Sequence, residues 1–151
     1  MKFIFSLLLL FVSRFSFAQT QIQFQEITLA EALQKSRTDH KPVFLECFES
    51  WCTHCNKMKE EVFTDSSVAA FYNSNFICIQ QDLEKGNGPA MHLMFAVKAF
   101  PTFIFLDSIN TTLYRMVGEF KAADLIEQGK NALNPEKQLP TLKNIFESDI
   151  T

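Results

Sequence analysis

The chain has no second Cys-x-x-Cys, no apolar run long enough to cross a bilayer, no excess of basic residues, no internal repeat and no low-complexity segment. Each absence removes a class of function. Zinc sites built on cysteine motifs usually need two ligand pairs, which disfavours zinc for a chain with one. A membrane span takes ~20 apolar residues, and the stretch from Phe3 to Val12 is too short. With 14 basic and 17 acidic residues the net charge is −3, which leaves no footprint for nucleic acid. The methionine-rich or histidine-rich companion motif of a soft-metal carrier is also missing.

At the N-terminus, Lys2 precedes the apolar stretch, and Ser16-Phe17-Ala18 puts small residues at both positions a signal peptidase reads. The expectation is an export signal over residues 1–18, cut after Ala18, although Arg14 lies close to the cut; an uncleaved anchor is the alternative. No cysteine stands directly after the cut, where Gln19 begins the proposed mature chain, against a lipid-anchored lipoprotein. Without Lys2 and Arg14 the balance becomes 12 basic against 17 acidic residues, a net charge of −5. Residues 19–133 suit one domain with a phenylalanine-rich core. Residues 134–151 form a C-terminal tail with Pro135 and Pro140, in which Leu142, Ile145 and Phe146 recur at helical spacing.

What is present is Trp51-Cys52-Thr53-His54-Cys55, between the apolar run Pro42 to Phe48 and a segment, Cys52 to about Val62, that lacks glycine and proline. The first reads as a buried strand and the second as a helix, so the two cysteines sit at a strand-to-helix turn. Cysteines three apart in a first helical turn can close a small disulfide ring, and free N–H groups at the helix end stabilise a thiolate on the first. Cys52 is the expected nucleophile. Cys47 and Cys78 lie in apolar strand-like runs and read as buried free thiols, with a second disulfide as the alternative.

Around this turn, Thr28-Leu29-Ala30-Glu31 is a capping-box pattern opening a helix to about Ser36, with Leu29, Ala32 and Leu33 on its apolar face. Asp65 caps a helix holding Val68, Ala69 and Phe71; Phe76 to Gln80 is a second strand, and Pro89 starts the next helix after a Gly86-Asn87-Gly88 loop. Thr102 to Leu106 and Thr111 to Val117 read as an antiparallel hairpin, and Ala122 to Leu133 as a last helix. The pattern describes an α/β sandwich around a mixed sheet.

Three features together resemble the thioredoxin superfamily over Ile27 to Leu133: the Trp-Cys-x-x-Cys turn, an acid in the strand six positions before the first cysteine, Glu46, and Phe100-Pro101-Thr102 before a strand. Within it, the run Glu61-Val62-Phe63-Thr64-Asp65 looks most like the exported branch that includes the C-terminal domain of the transmembrane disulfide reductase. The resemblance implies a thioredoxin-like three-layer sandwich, a central mixed sheet flanked by helices, with a cis bond before Pro101. It implies Cys52 as attacking thiolate, Cys55 as resolving thiol, and Glu46 as a buried proton acceptor. It also implies a substrate groove formed by Trp51, Phe100 and Pro101. Thr53-His54 departs from the usual Gly-Pro. A histidine before the second cysteine resembles the oxidising and isomerase branches, and its imidazole can stabilise the Cys52 thiolate, which makes His54 the redox-tuning residue. Aligning the second strand at Asp82 puts Cys78 where thioredoxins often carry a lysine beside the buried acid, so Glu46 is expected to lack that cationic partner and to be more easily protonated. His40 and His92 read as surface residues.

These readings converge on an exported, periplasmic thiol:disulfide oxidoreductase, acting as a reductant, with no cofactor and no metal, expected as a monomer. Its partners would be exported proteins with cysteines and a membrane or soluble thiol electron donor. Three alternatives stay open: a disulfide isomerase or oxidase of the same fold, a Cu(I)-binding module, and a client-binding domain with an incidental dithiol.

Overall fold

Thr28 closes the first helix by a reciprocal cap: its hydroxyl oxygen accepts from the Glu31 N–H, and the Glu31 carboxylate accepts from the Thr28 N–H at 2.8 Å. The helix, α1 (Leu29–Asp39), runs three residues past Ser36 and ends at His40 in a left-handed conformation. The computed structural model describes residues 20–148; the proposed signal over 1–18 lies outside them. Among the described residues no helix is long and apolar enough to cross a membrane.

After α1 come β1 (Val43–Phe48), α2 (Thr53–Lys57) continued by a π-helical turn (Met58–Val62), α3 (Ser66–Asn75) and β2 (Ile77–Asp82). Then follow α4 (Gly88–Met94), the hairpin β3 (Thr102–Leu106) and β4 (Thr112–Val117), α5 (Ala122–Leu133), a short 3-10 turn (Pro135–Lys137) and α6 (Leu139–Ser148). The sheet order is β2-β1-β3-β4, with β1 parallel to β2 and the other two pairs antiparallel. The parallel pair needs a long crossover, which α2, the π turn and α3 supply.

Alternation along the central strands sorts the core into two layers. Phe44, Phe103 and Phe105 pack with Met58, Val68, Tyr72 and Leu125 from the α2, α3 and α5 side. Val43, Leu45, Cys47, Ile104 and Leu106 pack with Ala32 and Met91 from the α1 and α4 side. This is the three-layer α/β sandwich. Both faces of β1 are covered, which is why its sequence is a nearly continuous apolar run. Glu46 interrupts that run on the Phe44 face, beneath α2. Gly88 has a steric reason: a Cβ there would fall inside the backbone of Asp82 and Leu83, where the start of α4 crosses the end of β2.

Candidate active site

Leaving β1, the chain turns through Glu49-Ser50-Trp51, and the Cys52 N–H donates to the Glu49 carbonyl at 3.0 Å. Cys52 becomes the N-cap of α2, its Sγ accepting from the Cys55 N–H at 3.2 Å. That places the two cysteines one turn apart, and they are joined as a disulfide with a Cα–Cα separation of 5.3 Å. Cys47 and Cys78 are free and buried. Burial pushes both of their thiols up to about 12.

The remaining candidates surround this turn. Trp51 is 67% exposed and meets Phe100 edge to face at 6.4 Å. Phe100 leads into buried Pro101 through a cis peptide bond. The Pro101 carbonyl accepts from the Gly118 N–H at 2.8 Å, which ties the proline to the end of β4. Glu46 is buried, in register with Gln80 on β2 and Phe103 on β3. Burial raises its carboxyl to about 8, with Lys59 pulling partly the other way. A cavity of about 40 Å³ lined by Glu46, Cys55, Asn56, Lys59 and Gln80 joins the acid to the second cysteine. That is room for a water molecule.

Cys78 fills the position of the family's lysine, opposite Phe44, and Glu46 is more easily protonated, as expected; its cationic neighbour is Lys59, on the π turn, which the sequence did not reveal. The cation does not keep the acid ionised, because burial outweighs it. His92 is not simply a surface residue: half-buried, it meets Phe100 edge to face at 6.3 Å and its charge bears on Glu49. His40 is exposed, as read.

Sequence reasoning missed Glu49, Lys57 and Glu119. The Glu49 carboxyl is buried with Oε2 unpaired among the described residues, and burial together with Glu84 raises its pKa. Glu119, just after β4, accepts from Lys57 Nζ and bonds His54 Nδ1 at 3.0 Å. The Glu119 contacts have no spacing signal, since Glu119 lies 65 positions from His54 and 62 from Lys57. Among the described residues no group of three or more His, Cys, Asp or Glu side chains is placed to hold a metal ion.

A thioredoxin-like family model matches residues 23–108. Disulfide bond reductase DsbH of Chlamydia pneumoniae is 29% identical over 97 residues, covering 58% of this chain and 58% of that protein. Thiol:disulfide interchange protein DsbD of Ralstonia nicotianae is 26% identical over 114 residues, covering 74% of this chain and 19% of that protein. The chain thus spans less than two thirds of either relative. A solution structure from Bacteroides thetaiotaomicron, provisionally named a disulphide-isomerase, superposes with a TM-score of 0.69 at 35% identity, covering 78% of this chain and 98% of that one. With the family model spanning more than half of its length, the chain belongs to the thioredoxin-like family.

Proposed function

We propose that this protein is an exported thiol:disulfide oxidoreductase that passes two electrons from the Cys52–Cys55 dithiol to protein disulfides, working as a reductant. The observation that carries the reading is the closed Cys52–Cys55 pair at the start of α2, with the buried carboxyl of Glu46 sharing a cavity with Cys55. The likeness to a protein named a disulfide bond reductase favours the reducing direction.

In the reduced protein, Cys52 as thiolate attacks one sulfur of a substrate disulfide. A Cys52–substrate disulfide forms, and the other substrate sulfur leaves as a thiolate and takes a proton from solvent. Cys55 then gives its proton through water to Glu46 and attacks Cys52 Sγ, which forms the observed bond and expels the second substrate thiolate. A carboxyl raised to about 8 is matched to a thiol: at neutral pH its minor ionised fraction takes the proton, and the step quickens as pH rises toward 8. Recharging reverses the flow: a donor dithiol supplies two electrons, and Glu46 returns the proton to Cys55. Trp51 and Phe100 form the apolar rim of the groove, and the backbone at Pro101 is the edge on which a substrate strand pairs. Residues 1–18 are removed on export and 134–151 follow the domain as a tail.

A second reading, isomerase or oxidase, is favoured by His54 between the cysteines and by the provisional name of the Bacteroides structure. Trapping tests the shared chemistry. Cys55→Ser is expected to accumulate Cys52-linked mixed disulfides with exported proteins, and no adduct under conditions that trap a thioredoxin overturns the assignment. The secreted chain is expected to begin at Gln19 by mass; an intact N-terminus on the cell-associated protein contradicts cleavage.

A further inference from the structure

Three consecutive residues after β4 reach three parts of the dithiol site. The Gly118 N–H donates to the Pro101 carbonyl at 2.8 Å, and the Phe120 N–H donates to Met58 Sδ at 3.3 Å. Between them the Glu119 carboxylate spans two side chains of α2, with Oε2 3.0 Å from His54 Nδ1 and Oε1 bonded by Lys57 Nζ. The charged groups acting on Glu119 are Lys57 and His54, and Glu61 acts in turn on Lys57. The Lys57 bond first, and the His54 bond second, hold the Glu119 carboxyl below its ordinary range, so it is an anion at neutral pH.

A carboxylate can only accept, so Nδ1 of His54 carries the proton in this contact. That nitrogen, turned to Glu119, is not available to donate to the Cys52 sulfur. The charge argument points the same way. A cation beside Cys52 lowers the energy of its thiolate, stabilises the reduced protein and makes the disulfide more oxidising. An anion fixed against both His54 and Lys57 opposes whatever positive charge they bring to α2 and so weakens their field at Cys52.

We propose that Glu119 is a positioning residue for the redox step: by engaging His54 and Lys57 together, it keeps their charge off the Cys52 thiolate and holds the pair in the reducing range despite a histidine between the cysteines. This rests on the reductant reading above and names the device behind it.

The test equilibrates the full mature chain with glutathione, the protein dithiol plus oxidised glutathione giving the protein disulfide plus two reduced glutathiones. Glu119→Gln keeps the shape and an acceptor oxygen but removes the charge. It is expected to shift this equilibrium about tenfold toward the reduced protein, ~30 mV for a two-electron couple. It should also lower the pH midpoint of Cys52 alkylation by iodoacetamide. Glu119→Asp, which retains the charge, is expected to stay within about threefold of the unmodified chain, ~15 mV at most. In a His54→Ala, Lys57→Met background, Glu119→Gln is expected to change the equilibrium by less than about twofold, since no cation remains to be released. A shift as large in that background, no shift in the original one, or a shift toward the oxidised protein overturns the proposal. A chain with no reversible dithiol transition overturns the oxidoreductase reading and this inference with it; a reversible transition that Glu119→Gln leaves in place overturns the inference alone.

Discussion

The four cysteines form two contrasting pairs. Cys52 and Cys55 are 4% and 3% exposed, Cys47 and Cys78 are 0% and 1%, so exposure hardly separates them. Backbone context does. Cys52 caps a helix, where its sulfur accepts an N–H and meets a partner one turn away. Cys47 and Cys78 are fixed in paired strands, surrounded by apolar side chains, with burial pushing both thiols up to about 12. A sulfur becomes a redox group in this molecule by where the chain turns, and a similar degree of burial elsewhere makes an inert one.

The largest expected effect breaks the contrast directly. Cys52→Ser should abolish disulfide reduction in an insulin-turbidity assay, while Cys47→Ala and Cys78→Ala should each leave the rate within about twofold of the unmodified chain. A comparable loss on removing Cys47 or Cys78 would mean that the buried pair takes part in the chemistry. Next in size is Glu46→Gln. Resolution by Cys55 near pH 7 should slow by about 10²-fold in single-turnover kinetics, and the rate should lose its pH dependence near 8.

Glu46 also carries a stability prediction. Its pKa in the folded protein, about 8, lies above the ordinary 4.5 that an unfolded chain would show. Between those values the folded state holds a proton that the unfolded state releases, so stability is full below about 4.5 and is lost as pH rises through about 8. The loss is up to ~5 kcal/mol at ~1.4 kcal/mol per pKa unit, read from urea melts at a series of pH values. Glu46→Gln should flatten that profile; a profile unchanged by the substitution would place the pH dependence elsewhere. The smallest effect sharpens the reading of the inert pair: Cys78→Ala, which removes a sulfur packed against the Tyr72 carbonyl at 3.8 Å, should cost ~1 kcal/mol in the same melts.

Most of the fold was legible because local signals agreed with the global arrangement. The Thr28 capping box, the Asp65 cap and the apolar run of β1 each marked an element at its observed place, with ends off by one to three residues. The Cys-x-x-Cys turn was legible because its spacing is local. The π turn at Met58–Val62 was not, since the same residues suit an ordinary helix; the Phe63 N–H reaches back to the Met58 carbonyl, and Met58 is fully buried. That turn carries Lys59, which is why the cation near Glu46 was missed. The strand register, with Gln80 opposite Glu46, and the approach of Glu119 to α2 depend on packing across the sheet. No spacing in the sequence records either.

The central claim is that Cys52 and Cys55 form a reversible dithiol poised for reduction, and the reduction potential of the pair against a glutathione or dithiothreitol buffer tests it most directly. The account predicts a single two-electron transition near the thioredoxin value of about −270 mV. A potential above about −180 mV would contradict the reducing direction and make the protein an oxidant or isomerase, and the absence of any reversible transition would contradict the dithiol chemistry itself.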